Sequence, residues 1–233
     1  MKIGKYLFFL FTTVALLALN IEYCESLTYL EKGNEWTLTQ YNKRGKETGH
    51  VSYKVLDKRT TSEGIEWDIQ SKMLDDKDNE MTDVTATVVC DGKAIRMDMS
   101  QMIPPQTLEG LSTMDLEIEA GDVVYPFNIA ENMELPDAEV VIRASSGGVQ
   151  LMEMTSIVKD RKVAQKETIT TPAGDFEAYK IEQTVVVKNR IMSRESKSID
   201  WYCPKIGVVR SEFFDRRGRP DGHSEITAFT KGN

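Results

Sequence analysis

The chain has 233 residues and a formal net charge of −8, with 37 Asp and Glu against 29 Lys and Arg. That balance, with no run of basic residues anywhere in the sequence, argues against nucleic acid as a partner, because phosphate neutralisation needs Lys and Arg gathered on one face. The length suits a single β-rich domain with one sizeable core, and no segment rich in Pro, Gly or Ser divides it.

The first 26 residues read as a signal peptide. Lys2 and Lys5 form a positive start, Tyr6–Leu19 is apolar except for Thr12 and Thr13, and Asn20, Glu22 and Glu25 follow. The apolar run is short for a membrane span, so no span is expected after cleavage. Cleavage after Ser26 would leave residues 27–233 as the exported domain, periplasmic or secreted. Acylation of Cys24 is disfavoured, since Ile21-Glu22-Tyr23 are not the small residues expected ahead of a lipidated Cys. Cys90 and Cys203 would then remain in a compartment that permits disulfides, either paired or as two buried thiols.

The strands follow in order. Asn34–Tyr41 leads into a charged turn at Asn42–Lys46. Val51, Tyr53 and Val55 alternate with polar neighbours, as do Ile65, Trp67 and Ile69. Asp75–Glu80 is a charged turn. Val84, Ala86, Val88 and Cys90 share a face, Asp91-Gly92 gives a tight hairpin, and Ile95, Met97 and Met99 alternate again. Residues 103–114 interrupt the pattern as a short helix or loop insertion, and Asp115, Glu117 and Glu119 form one wet strand face. Val140–Ala144, Val149–Val158 and Val163–Thr170 follow, with turns expected at Ser145–Gly148 and Lys159–Lys162. A long hairpin over Thr171–Ser211 organises the rest. Its second arm is expected to turn a corner at Pro204–Gly207 and continue, before a last strand, Ser224–Phe229. Arg44–His50 is echoed by Arg217–His223, which predicts two loops of the same geometry. The whole is an antiparallel meander curled into a barrel or half-barrel.

Candidate chemistry is sparse. His50 and His223 have no Cys or second His nearby at ligand spacing, and Asp75–Glu80 lacks the Gly and terminal Glu of a calcium loop. No nucleophile elbow, zinc-binding His-Glu-x-x-His or phosphate-cradling loop occurs. No catalytic residue, metal or cofactor is therefore assigned. Methionine is more informative: Met97 and Met99 lie close in sequence, as do Met152 and Met154. Met suits an irregular core or an apolar pocket for varied ligands.

Several motifs carry a resemblance: Ile103-Pro104-Pro105-Gln106, Leu135-Pro136-Asp137-Ala138, Thr170-Thr171-Pro172-Ala173-Gly174-Asp175-Phe176, Tyr179-Lys180-Ile181, and Trp201-Tyr202 followed by Pro204 and Gly207-Val208-Val209. Together with Cys90-Asp91-Gly92, they resemble the TapB-like family of secreted Gram-negative envelope proteins of unknown function, related to a broader family of periplasmic domains. The resemblance implies a curled antiparallel sheet. The family often has Cys where this chain has Ala178 and Ala where it has Cys203, so it implies a disulfide from Cys90 moved one strand over, to Cys203. Pairing Tyr179 with Trp201 matches the apolar faces and sets Cys203 opposite Glu177; a slip of one residue would set it opposite Ala178.

The functional expectation is an exported, non-enzymatic envelope protein holding a lipid-like or apolar ligand, or a partner protein, in a curled sheet, with Met97, Met99, Met152 and Met154 as pocket candidates. A structural or protein-interaction module is the alternative, with a filled interior. A carboxylate-based hydrolase is the third reading.

Overall fold

The structure, a computed structural model, describes residues 23–103, 107–108 and 110–232. Most of the expected signal peptide, and Pro104–Gln106 of the expected insertion, lie outside the described residues. Thirteen antiparallel strands make one sheet: β1 (Glu35–Asn42), β2 (Glu47–Thr61), β3 (Gly64–Asp75), β4 (Glu80–Cys90), β5 (Ala94–Asp98), β6 (Asp115–Ala120), β7 (Asp122–Pro126), β8 (Ala138–Ser146), β9 (Val149–Thr171), β10 (Gly174–Asn189), β11 (Ser193–Cys203), β12 (Gly207–Phe214) and β13 (Pro220–Thr230). Their order is β6-β8-β9-β10-β11-β12-β13-β1-β2-β3-β4-β5-β7, and the sheet curls until it nearly closes into a barrel.

Closure comes from one bent stretch of chain. β6 and β7 sit at opposite edges of the sheet, yet only Gly121 separates them in sequence. β6 pairs with β8, and β7 pairs with β5. The Gly121 N–H donates to the Glu139 carbonyl at 2.8 Å, and its carbonyl accepts from the Met99 N–H at 3.1 Å. The strand thus changes partners at Gly121, and both edges of the sheet are tied to the same peptide segment.

Four apolar clusters fill the barrel and its flanks. The first gathers Val55, Ile65, Trp67, Ile69, Val88 and Cys90 with Cys24, Leu27 and Leu30 from the N-terminal segment, and the second joins Met99, Ile103, Ala138, Val140 and Ile142. The third holds Ile129, Leu135, Val163, Ile181 and Tyr202; the fourth holds Ala178, Trp201, Cys203, Val209 and Ile226. Trp36 packs against both the first and the fourth.

Three local expectations are corrected. Lys159–Lys162 is no turn: β9 runs unbroken for 23 residues, and the charged segment instead carries register shifts against β10 and a positive φ of 54° at Asp160. Charge clusters mark a bulge here, because bulges also break alternation without ending a strand. Pro204–Gly207 is a chain reversal. β11 and β12 pair antiparallel across it, with Cys203 opposite Gly207, whose φ is +102°. The β10–β11 register is the slipped one, with Tyr179 opposite Tyr202 and Ile181 opposite Asp200. The apolar-face rule failed because both faces are covered here: Tyr202 and Ile181 belong to the third cluster, Trp201 and Ala178 to the fourth.

Candidate functional site

Alternation along β10 and β11 puts Ile181, Gln183, Ser198 and Asp200 on one face, and this face turns into the barrel. The Asp200 carboxylate is buried and accepts from the Ser211 hydroxyl at 2.6 Å and from Gln183 Nε2 at 2.6 Å. Gln183 Nε2 also donates to Ser198 Oγ at 3.2 Å, and its Oε1 accepts from Arg161 Nε at 3.3 Å. Arg161 is only 1% exposed, and its Nη1 reaches the carbonyls of Val124 and Pro136 at 3.2 and 2.9 Å. The guanidinium lies 5.1 Å from the centre of the Tyr125 ring, which stacks on Tyr202 at 4.2 Å.

This chain of groups ties β7, β9, β10, β11 and β12 together through the interior. Burial sets its electrostatics. Asp200 is pushed above the ordinary carboxylate range by loss of water, against the pull of Ser211, Arg161 and Gln183. The Tyr125 phenol is pushed up to about 12, and Tyr202 upward too, again by burial. Arg161 Nη2 makes no hydrogen bond among the described residues. No sequence motif announced this network. Arg161 sits in a stretch read as a turn, and a single Arg, Gln or Asp in a strand carries no signal of its partner.

The methionines do not form one pocket. Met97 packs on the first cluster, Met99 and Met154 meet in the second, and Met152 lines an open groove near the β8–β9 turn. That groove, of about 320 Å³, is bounded by Gln150, Leu151, Glu153, Thr155, Lys188, Asn189 and Arg190. A second open groove, of about 250 Å³, lies between the β1–β2 and β12–β13 turns, beside Lys43, Phe213 and His223. His223 stacks on Tyr41 with ring centres 4.8 Å apart, and His50 Nδ1 lies 4.0 Å from Glu47.

The expected Cys90–Cys203 bond is corrected. Cys90 is bonded to Cys24, with Cα atoms 5.9 Å apart, and Cys203 is a buried free thiol whose pKa burial raises. The N-terminal segment explains the exchange. Leu27 and Leu30 drop into the first cluster, Tyr23 stacks on Phe127 at 3.8 Å, and Cys24 is thereby set beside Cys90. Discarding Cys24 with the signal hid the true partner.

The paired loops fold alike, as their sequences predict. Asn42 Oδ1 accepts from the N–H groups of Arg44 and Lys46, and Asp215 Oδ1 from those of Arg217 and Arg219; Gly45 and Gly218 both have φ +73°. The β3–β4 turn is a third copy. Asp75 Oδ1 accepts from Lys77 and Asn79, and Asp78 takes the positive φ, 60°.

Two solved structures share the fold. One is described as a "putative lipoprotein" from Parabacteroides distasonis ATCC 8503. It is 20% identical, with a TM-score of 0.70 over 88% of this chain and 98% of that one. The other is described as a "putative exported protein" with a YmcC-like fold, from Bacteroides fragilis NCTC 9343. It is 21% identical, with a TM-score of 0.68 over 86% and 97%. No curated protein sequence matches the chain. The DUF3108-like family model matches residues 31–226, which span the sheet from the start of β1 into β13, and the chain belongs to the DUF3108-like family.

Proposed function

We propose that the chain is an exported, non-enzymatic interaction module whose barrel interior is structural. The observation that carries this is the Arg161–Gln183–Asp200 chain with its Tyr125–Tyr202 stack. It fills the interior between β7 and β12 with polar and aromatic groups. An acyl chain placed there would strip Arg161 and Asp200 of their partners, at a cost of several kcal/mol per ion. The grooves described above are open at the surface, and so suit contact with a large partner better than enclosure of a small one. Within the family, the Thr-Pro-Ala-Gly-x-Phe and Trp-Tyr elements favour the TapB-like branch.

A carboxylate hydrolase would need an acidic group of raised pKa in an accessible cleft. Asp200 has the raised pKa but is enclosed, and Glu117 and Glu119 of the acidic strand are exposed and ion-paired with Arg143. Export is favoured by the Cys24–Cys90 disulfide. The same bond argues for processing ahead of Tyr23, and against a lipid anchor at Cys24: a sulfur engaged with Cys90 cannot carry a thioether. Titration with a fluorescent fatty-acid analogue tests the reading. No saturable binding is expected, and stoichiometric uptake that apolar competitors displace would overturn it.

A further inference from the structure

Several exposed cations of this acidic chain stand together at one end of the barrel. Asn42 pairs with Gly222, and the Arg216 guanidinium donates to the Ser193 carbonyl at 3.3 Å, so the β1–β2, β12–β13 and β10–β11 turns stand side by side. They expose Lys43, Arg44, Lys188, Arg190, Arg194 and Arg217, none of which has an ion-pair partner among the described residues. The acids nearby are largely committed: Asp215 to Arg219, Asp76 to Lys46, Glu195 to Lys159 and Glu212 to Arg210. Glu47, Asp221 and, in the neighbouring β3–β4 turn, Asp75 and Asp78 are the flanking exceptions. The sequence hides this surface because no more than three cations stand in any one turn.

Apolar side chains project from the same end. Ile191 is 96% exposed at the tip of the β10–β11 turn, beside Met192 at 54%. Phe213, Val187, Val149 and Leu151 are also exposed there. Both grooves open between these residues and the basic turns. An acidic protein partner would answer the charge, but it gives no role to an isoleucine standing clear of the surface at a loop tip.

We infer that this end docks on an anionic phospholipid bilayer, with Ile191 and Met192 entering the acyl boundary and the surrounding Lys and Arg on the headgroup phosphates. Basic residues around an apolar insertion are the chemistry of interfacial binding, and each cation near an anionic surface changes partitioning by roughly fivefold. This rests on the reading of the protein as an interaction module. Lipid retained inside the barrel would overturn that reading, whereas failure to bind vesicles overturns only the docking surface.

The test is co-sedimentation of the exported protein with vesicles of phosphatidylcholine alone or mixed with phosphatidylglycerol. Binding at least about tenfold tighter to the mixed vesicles is expected, falling sharply at about 1 M salt, where charge is screened beyond ~3 Å. Arg190→Gln with Arg217→Gln should weaken it by about tenfold or more. Ile191→Ser with Met192→Ser should abolish the fraction that survives high salt. All four substitutions are on exposed turn residues, and unchanged thermal melts would show that the fold is kept. Equal partitioning to both vesicle types, no binding, or variants that bind like the parent would overturn the inference. So would capture of an acidic protein or of nucleic acid at these turns without vesicle binding.

Discussion

Asp200 shows how one residue couples burial to pH. Its folded-state pKa lies above the ordinary carboxylate value, so the folded chain holds that proton more tightly than the unfolded chain does. The stabilising contribution is complete below the ordinary carboxylate range and is lost as pH rises through the raised value. In Asp200→Asn that loss disappears. Denaturant titrations from about pH 4 to about pH 8 should show the variant gaining on the parent as pH rises; a difference constant across that range would contradict the assignment. Arg161→Met should cost about 3–5 kcal/mol, because it leaves a buried carboxylate network without its cation. Combining it with Asp200→Asn should recover part of that loss. Strictly additive losses would show that the two groups are not coupled. Cys24 is the second residue on which much depends. Cys24→Ser removes a bond closing a loop with sequence separation 66, worth about 4 kcal/mol in the chain-entropy model. Thiol titration of the denatured, unreduced parent should find one reactive group, Cys203; finding three would contradict the bond.

At the scale of elements, alternation and turn chemistry placed most strands, and the structure shows where those signals end. β1 to β5 were legible because each is half-buried and bounded by Gly, Asp or Asn turns. β9 was read as two strands, since Lys159–Lys162 has the composition of a turn while forming a bulge. The β10–β11 register was misread because two clusters, one on each face, remove the polar side that fixes register elsewhere. The β2–β3 hairpin gives a sharper test. A Cβ on Gly64 would stand 2.0 Å from the Cys90 carbonyl oxygen, at a φ of +135°. Gly64→Ala should therefore cost at least ~1–3 kcal/mol from backbone strain, with more from displacement of the Cys90 carbonyl. A melting temperature equal to the parent's would show that the close approach is not real.

For the whole molecule, fold and function were legible to different degrees. A curled antiparallel sheet follows from local patterns, each read within a few residues. Barrel closure depends on Gly121 passing one strand between the two sheet edges, and the interior network depends on residues distant in sequence meeting in space, as Arg161 does with Gln183 and Tyr125 with Tyr202. Neither leaves a periodic trace. The basic end is hidden for the same reason, since its charge is assembled from three separate turns. The same holds for the methionines, which neighbour each other in sequence but divide between two clusters and a groove. The central claim is an exported barrel whose interior is structural and whose first cysteine is committed to the fold. Native mass spectrometry of the unreduced protein, taken from the culture of its own host, tests it most directly. The predicted result is a polypeptide that begins ahead of Tyr23, is lighter by two hydrogens for the Cys24–Cys90 bond, and carries no lipid. A mass that includes acyl groups on Cys24, or an apolar molecule released only on unfolding, would contradict it.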